Sequence, residues 1–107
     1  MKTFFLSSPI GQEGSEVRKI SDLLWEYVIQ PVCKKLNYQP VRADKITNAG
    51  SITHQVIQHL TESDIVVFDV SDQNPNVMYE LGIRHSIGKP AVLLIRDGAR
   101  IPFDVKD

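Results

Sequence analysis

A strand that runs into an acid, a polar turn and a helix is the feature that most constrains this chain. Residues 64–68 read Asp-Ile-Val-Val-Phe, a short apolar run typical of a buried strand in a parallel sheet. The turn that follows contains Asp69 and several Asp, Asn and Pro residues, and the next helix carries a second acid, Glu80. In open α/β sheets, ligands bind beyond the carboxyl ends of the strands. Asp69 and Glu80 are therefore both expected at such a site.

Strand and helix signals alternate along the chain, which favours a parallel sheet with crossover helices. The predicted strands cover residues 3–6, 39–43, 65–70 and 91–95. Right-handed connections then give a flavodoxin-like (Rossmann-like) three-layer α/β sandwich with strand order 2-1-3-4 and a switch point between strands one and three. Residues 1–107 form one domain. Either the sheet has four strands, or a fifth edge strand lies beyond residue 107.

The first predicted helix begins after Ser15, which can act as its N-cap. Pro31 should end or kink it, because proline lacks the backbone donor and clashes with the preceding turn. Trp25 lies off the main apolar stripe and is expected at a partner surface or half-buried. The stripe predicted to be buried contains Val17, Ile20, Leu23, Leu24, Tyr27, Val28, Val32 and Leu36.

Two further helices follow. Ser51 is expected to cap the second, with Ile52, Val56 and Leu60 on its inner face. Asn76 is expected to cap the third, which should stop near Ile87 at Gly88 and Pro90. Inside it, Gly82 costs about 1 kcal/mol relative to alanine, so the helix should either pack very close to the sheet or leave room for a ligand. Residues 96–98 read as a turn and 101–104 as a tail tethered by its Phe.

Composition narrows the class of function. The chain is 42% apolar and 23% charged with a net charge of −1, ordinary values for a globular domain. There is no basic stripe of the kind that binds nucleic acid polymers, and the apolar runs fall short of the about 20 residues that cross a membrane. A single cysteine, Cys33, suits a reducing cytosol, so we expect a cytoplasmic protein.

Metal and cofactor motifs are not evident. His54 and His59 are five residues apart, which differs from the i,i+4 spacing of a helical metal pair, and there is no HExxH. The glycines follow neither GxGxxG nor GxxxxGK[ST] spacing. We therefore expect no metal and no cofactor.

Polar residues follow the first two strands. The loop Ser7, Ser8, Pro9, Ile10 and Gly11 precedes a helix N-terminus and could bind a phosphate or a sugar hydroxyl, although a flexible connection explains it equally well. Arg42 with Asp44 could hold a ribose or phosphate, although a surface ion pair is the simpler interpretation.

The third strand and helix supply the other candidates. Asp69 with Ser71 could bind ligand, or Asp69 could cap amides in the turn. Asn74 and Asn76 lead to Glu80, which near a helix N-terminus would be held as an anion and suit a nucleophile. The alternative is a Glu80–Arg84 surface pair at i,i+4, worth a few tenths of a kcal/mol.

With these residues in place, the chain resembles the nucleoside 2-deoxyribosyltransferase-like superfamily, which includes nucleotide N-glycosidases and is structurally akin to TIR domains. The Asn-Pro-Asn-Val-x-Tyr-Glu-Leu-Gly version of its motif is typical of a large bacterial subgroup. The matching segments are Phe4-Phe-Leu-Ser-Ser-Pro-Ile10, Val41-Arg-Ala-Asp44, Ala49-Gly-Ser-Ile-Thr53, Asn74-Pro-Asn-Val-Met-Tyr-Glu-Leu-Gly-Ile-Arg-His85, Lys89-Pro90 and Ile101-Pro-Phe-Asp104.

The resemblance implies roles for individual residues. Glu80 matches the nucleophile that attacks the anomeric carbon of an N-glycoside, releases the base and forms a glycosyl ester. Asp69 matches an acid eleven residues upstream that holds the sugar or assists departure of the base. The transferases carry an acid about six residues before the nucleophile, where this chain has Asn74, so the match to a transferase is weaker; Asn74 could contact phosphate instead.

Two functional hypotheses follow. In the first, the chain is an enzyme that cleaves or exchanges the N-glycosidic bond of a nucleoside or nucleotide, NAD included. In the second, it is a TIR-like module that binds a nucleotide or assembles with partners without turnover. The resemblance also implies a homo-oligomer in which a neighbouring subunit helps to close the pocket.

Overall fold

The computed structural model describes residues 2–46 and 52–96 and contains one four-stranded parallel sheet. Its strands are β1 (Lys2–Ser7), β2 (Tyr38–Arg42), β3 (Ile65–Asp69) and β4 (Val92–Leu94), in the order β2-β1-β3-β4. The flavodoxin-like order predicted from the sequence is confirmed, and each strand lies within two residues of its predicted bounds. The fold therefore places the switch point between β1 and β3.

Helices cover both faces of the sheet. They are α1 (Glu16–Leu24), which continues through a π-helical segment (Trp25–Ile29) into α2 (Gln30–Leu36), then α3 (Ile52–Glu62) and α4 (Pro75–Ser86); a 3₁₀ turn spans Ala43–Lys45. Because side chains alternate along a strand, Phe5, Val66 and Phe68 pack with Leu60 and Leu81 of α3 and α4. On the other face, the core comprises Phe4, Leu6, Trp25, Ile29, Cys33 and Val67.

The buried face of the first helical stretch differs from the prediction. The residues that face the sheet are Ser21, Trp25, Ile29 and Cys33, and Trp25 is only 8% exposed, so the expectation of a partner-facing or half-buried tryptophan is wrong. Leu24 is partly buried against this core. The rest of the predicted stripe is 39–69% exposed, namely Val17, Ile20, Leu23, Tyr27, Val28, Val32 and Leu36.

A π-helical segment keeps the buried row of this helical stretch on the sheet. Pro31 does not end the helix, since α2 follows the π-helical residues directly and continues to Leu36. Residues four apart drift around an α-helix of 3.6 residues per turn, whereas a π-turn holds more residues and offsets that drift. The row Ser21, Trp25, Ile29 and Cys33 therefore stays on the sheet. The wider turn also accommodates a proline, which has no N–H to donate.

The other two helices begin and end close to the predicted positions. In α3, Leu60 is fully buried and Val56 packs against the core, as expected. The cap of α4 is Asn74 rather than Asn76: its side-chain oxygen accepts from the backbone N–H groups of Asn76 and Val77 at 2.9 and 3.2 Å. The helix ends near the predicted stop, where Gly88 has φ of +73°.

Gly82 lies on the exposed side of α4. A Cβ built on Gly82 meets no atom within 4 Å, so the expected close approach of the helix to the sheet is wrong. Several other expectations concern residues outside the described ranges. They are the Ser51 cap, the turn up to Gly98, the 101–104 tail and the fifth strand. No described helix is long and apolar enough to cross a membrane.

Candidate active site

A cavity of about 380 Å³, lined by both polar and apolar residues, lies beyond the carboxyl ends of β1 and β2, beside the first turns of α4. The strand register brings Leu6 level with Arg42 and with Val67, so the loops after these strands open at the same edge of the sheet. Seven of the predicted site residues line this cavity together with Glu80: Ser7, Ser8, Pro9, Ile10, Gly11, Asn74 and Asn76.

Glu80 is the only acid lining the described part of that cavity. Its Oε1 accepts a hydrogen bond of 2.7 Å from the Ser7 hydroxyl, which is itself 2% exposed. Burial raises the pKa of Glu80 above its ordinary value, and the Ser7 hydrogen bond opposes this without cancelling it. With Asn74 as the cap, Glu80 lies in the second turn, where the helix dipole has little effect. The expectation of an anion stabilised by the helix N-terminus is therefore wrong.

The Glu80–Arg84 surface pair is not formed. Arg84 is 1% exposed and donates to the backbone carbonyls of Pro90, Leu60 and Ser63, each at 3.0 Å. This guanidinium joins the ends of α3 and α4 to the start of β4 and has no carboxylate within ion-pair distance among the described residues. Glu80 therefore has no cationic partner from its own helix.

The loop after β1 has a conformation that requires glycine. Gly11 has φ of +62°, and a Cβ there would lie 2.9 Å from the Ser15 hydroxyl and 3.2 Å from the Val17 side chain. Ser15 needs that position because its hydroxyl accepts from the Arg18 N–H and caps α1. The local sequence therefore fixes how the loop turns from the strand over the cavity and into the helix.

A buried polar cluster holds the same loop from behind. The Ser8 and Ser21 hydroxyls share a hydrogen bond of 2.7 Å, and Arg42 Nη1 donates to Ser21 at 2.9 Å. Arg42 is 0% exposed, and its guanidinium lies 5.5 Å from the centroid of the Trp25 ring. The contacts of Ser21 and Trp25 with Arg42 were not predicted from the sequence. Their spacing of four residues, which places both on one side of a helix, was the available signal.

Arg42 and Asp44 neutralise each other inside this cluster. Arg42 donates twice to Asp44, at 2.5 and 2.8 Å, and once to Asp22 at 2.7 Å. Burial would raise the pKa of Asp44, but the hydrogen bonds and charge of Arg42 outweigh it and hold that pKa below its ordinary value. Neither residue lines the Glu80 cavity. The structure therefore places the predicted ribose-binding pair in an internal ion cluster.

Asp69 and Ser71 lie in a different cavity from Glu80. Asp69 shares the strand face of Val67, and it lines a space of about 310 Å³ with Ile20, Leu24 and Arg96 on the α1 side. Its Oδ1 accepts from the Ser71 N–H at 3.1 Å, which is the turn-capping interaction weighed as an alternative. Ser71 in turn accepts from the Arg96 N–H at 2.7 Å. The structure does not bring the two acids together.

Among the described residues, no group of three or more His, Cys, Asp or Glu side chains is arranged to hold a metal ion.

Comparison with known proteins finds similarity at the level of the fold. No protein-family model matches the sequence, and no curated protein matches it significantly. A solved structure described as a 2-desoxiribosyltransferase from Leishmania mexicana superposes with a TM-score of 0.68 at 16% identity, covering 91% of this chain. The chain spans 66% of the length of that solved protein. At this identity the likeness establishes the shared α/β fold.

Proposed function

We propose that this chain cleaves or exchanges the N-glycosidic bond of a nucleoside or nucleotide, with Glu80 as the nucleophile. The observation that carries the proposal is the Glu80 carboxylate. It is partly buried at the edge of the 380 Å³ cavity, its one described hydrogen-bond donor is Ser7, and it is not ion-paired among the described residues. A desolvated carboxylate without a counter-charge is reactive toward a developing cation such as an anomeric carbon. The shared fold with a 2-desoxiribosyltransferase supports the same class of substrate.

The chemistry balances with one carboxylate. A Glu80 oxygen attacks the anomeric carbon while the carbon–nitrogen bond breaks, its electron pair leaves on the base, and the base takes a proton from water. The resulting glycosyl ester is attacked at the same carbon by water or by a second base, which restores the Glu80 carboxylate with net retention; the proton that the attacking group loses neutralises the hydroxide left by the first step. Ser7 keeps one carboxylate oxygen oriented through its hydrogen bond of 2.7 Å.

The rest of the cavity suits the sugar and phosphate. Ser7, Ser8 and the loop around Gly11 line the same space as Asn74 and Asn76. Hydroxyl, amide and backbone N–H groups of this kind bind sugar hydroxyls and phosphate oxygens without fixed charge. Asn74 uses its side-chain oxygen as the α4 cap, so its amide nitrogen is the group it would present to a ligand.

Release of free base tests the reaction. The protein is incubated with deoxynucleosides, their monophosphates and NAD, and base is quantified by chromatography; Glu80→Gln serves as the isosteric control. We expect base from at least one substrate and none above background from Glu80→Gln. The proposal fails if no substrate yields base, or if the variant matches the wild type.

A second function, nucleotide binding without turnover, is favoured by the position of Asp69. Glycosidases usually pair two carboxylates at the scissile bond, whereas Asp69 lines the cavity on the other side of the sheet. In this alternative, a nucleotide raises the melting temperature of the protein and is recovered intact after prolonged incubation. A melting temperature unchanged by every nucleotide excludes it.

We also propose that the chain forms a homo-oligomer through the exposed apolar residues on α1 and α2. Large exposed apolar patches on soluble proteins commonly mark contact surfaces. Leu23 and Tyr27, four residues apart on the first helical stretch, are 56% and 69% exposed. Sedimentation of the wild type and of Leu23→Glu tests this: the variant should sediment as a smaller species, and an unchanged sedimentation coefficient contradicts the assignment.

A further inference from the structure

The buried polar cluster behind the β1 loop contains a chain of three hydrogen-bonding side chains. Arg42 Nη1 donates to the Ser21 hydroxyl at 2.9 Å, and the Ser21 and Ser8 hydroxyls share a hydrogen bond of 2.7 Å. Arg42 and Ser21 are 0% and 2% exposed, whereas Ser8 also lines the cavity that Glu80 lines. The chain, which we call the Arg42–Ser8 relay, therefore runs from an internal ion cluster to the wall of the candidate active site.

The guanidinium determines the direction in which the relay donates. A guanidinium can only donate, whereas a serine hydroxyl has one proton and can accept two hydrogen bonds. Among the described residues, the Ser21 hydroxyl has Arg42 and Ser8 as its partners. Because Arg42 cannot accept, the Ser21 proton has the Ser8 oxygen as its acceptor. The opposite direction would leave the Ser21 proton buried without an acceptor, which is unfavourable. Ser8 therefore accepts within the relay, and its own proton is left for a ligand.

Arg42 is fixed in the orientation that this direction requires. Its Nε and Nη2 atoms donate to Asp44, and Nη2 also donates to Asp22. The guanidinium lies 5.5 Å from the centroid of the Trp25 ring. The remaining nitrogen, Nη1, has the Ser21 hydroxyl as its described acceptor. Hydrogen bonds in a chain polarise one another, so a cation fixed at one end strengthens the donor at the other end.

The neighbouring serine has the opposite polarity. Ser7 donates its proton to Glu80 at 2.7 Å, so its oxygen lone pairs are what it can offer a ligand. Ser8 accepts from Ser21 and can offer its proton instead. Two adjacent serines that line the same cavity thus supply one acceptor and one donor.

We propose that Arg42 and Ser21 are positioning residues that fix Ser8 as a hydrogen-bond donor to an acceptor oxygen of the ligand. This inference rests on the proposed binding of a nucleoside or nucleotide in the cavity. Sugar and phosphate oxygens both have the lone pairs that such a donor needs. Neither Arg42 nor Ser21 lines the cavity, so their effect on a ligand passes through Ser8.

Neutron diffraction from a crystal of the deuterated wild-type protein tests the direction of the relay without any ligand. The proposal predicts that the Ser21 deuterium lies between the two serine oxygens and that the Ser8 deuterium points away from Ser21. A Ser8 deuterium directed at the Ser21 oxygen overturns the proposal, whether or not the protein releases base.

Ligand binding tests whether the relay acts on the site. Binding of 2′-deoxyadenosine and of its 5′-monophosphate is measured by calorimetry in the Glu80→Gln background, in which the proposed reaction is blocked. The relay variants are Ser8→Ala, Ser21→Ala and the double variant. The matched control is Ser63→Ala, because Ser63 is also a buried serine, 4% exposed, and does not line the cavity.

The relay predicts losses that do not add. Ser8→Ala should weaken the binding of at least one ligand about tenfold, and Ser21→Ala about threefold. The double variant should bind no more weakly than Ser8→Ala, because Ser21 acts through Ser8; Ser63→Ala should bind like the parent. A loss confined to the monophosphate assigns the acceptor oxygen to the phosphate, and an equal loss for both ligands assigns it to the sugar.

Three results would overturn the inference. They are that neither ligand binds, that Ser8→Ala binds both ligands like the parent, or that the losses of the two single variants add in the double variant. Additive losses would mean that Ser21 affects the site only by stabilising the fold. The predicted binding pattern in a protein that releases no base from any substrate supports the relay and refutes the reaction.

Discussion

Two partly buried carboxylates at the same edge of the sheet are held in opposite electrostatic environments. Asp44 is surrounded by Arg42, Arg18 and Lys45, and its pKa lies below the ordinary value because the Arg42 interactions outweigh burial. Glu80 has a hydroxyl as its partner, and burial raises its pKa. In the Arg42 cluster the cations and carboxylates pair with one another, whereas the Glu80 carboxylate has no cationic partner among the described residues. Charged residues at the same edge of the sheet therefore differ in whether they are ion-paired, and the proposed nucleophile is the one without a cationic partner among the described residues.

The largest effect should come from breaking the Arg42 cluster. Arg42→Met leaves Asp44 buried with weaker cationic partners, and removing one member of a buried pair typically costs about 3–5 kcal/mol. The contribution of the ionised Asp44 is complete above the ordinary pKa of an aspartate and is lost as pH falls through its lowered folded pKa, so the cost of the variant should shrink at acidic pH. Urea unfolding at several pH values measures this.

Arg84→Met is the matched control for that variant. Arg84 is also buried but donates only to carbonyls, so its loss should destabilise the protein without the dependence on Asp44 ionisation. If stability depends on pH equally in the two variants, the effect of Arg42 does not come from its pairing with the ionised Asp44.

A smaller effect is expected at the Glu80 partner. Ser7→Ala removes a hydrogen bond to a charged group, worth roughly 1.5–3 kcal/mol, and removes the interaction that lowers the pKa of Glu80. If Glu80 must be ionised to attack, the acidic limb of the activity profile should move to higher pH. Ser86→Ala, which removes an exposed serine hydroxyl bonded to the Ile83 carbonyl, should leave the limb in place. If the acidic limb does not move in Ser7→Ala, the hydrogen bond from Ser7 does not affect the ionisation on which activity depends.

An ionised Glu80 without a cationic partner should also lower the stability of the folded protein. The folded protein binds the Glu80 proton more tightly than the unfolded chain, so this contribution is complete below the unfolded pKa and is lost as pH rises through the raised folded pKa. The neutral isostere Glu80→Gln should therefore gain melting temperature over the wild type as pH rises from about 4 to 8. A gain that is constant with pH, or a loss at pH 8, would contradict an ionised and poorly compensated Glu80.

The smallest effect is expected at Gly82. An added Cβ meets open space, so Gly82→Ala should stabilise the protein by about 0.5–1 kcal/mol through helix propensity. Thermal unfolding measures the gain, and base release measured in parallel shows whether the glycine serves a ligand. Destabilisation would mean that this face of α4 packs against something.

The strands and their order were predictable because short apolar runs alternate with helical patterns, and parallel connections have one hand. The buried face of the first helix was not predictable, because the spacing of the apolar residues does not indicate the π-helical turn that keeps Ser21, Trp25 and Ile29 in one row. The separation of Asp69 from Glu80 follows from strand alternation: Asp69 shares the face of Val67, but the sequence does not say which face α4 covers. Asn74 and Asn76 are equivalent cap candidates by residue type, and only backbone geometry selects Asn74.

Covalent trapping tests the central claim, that Glu80 is the uncompensated and reactive carboxylate, most directly. A 2′-fluoro-2′-deoxynucleoside of the base released most readily is mixed with the protein, because the fluorine slows formation and breakdown of the glycosyl ester through its effect on the cation-like transition state. Intact and peptide mass spectrometry then locate the adduct. The account predicts one fluorosugar on the peptide containing Glu80 and none on Glu80→Gln. An adduct on Asp69 or another residue, or base release by Glu80→Gln at the wild-type rate, would contradict it.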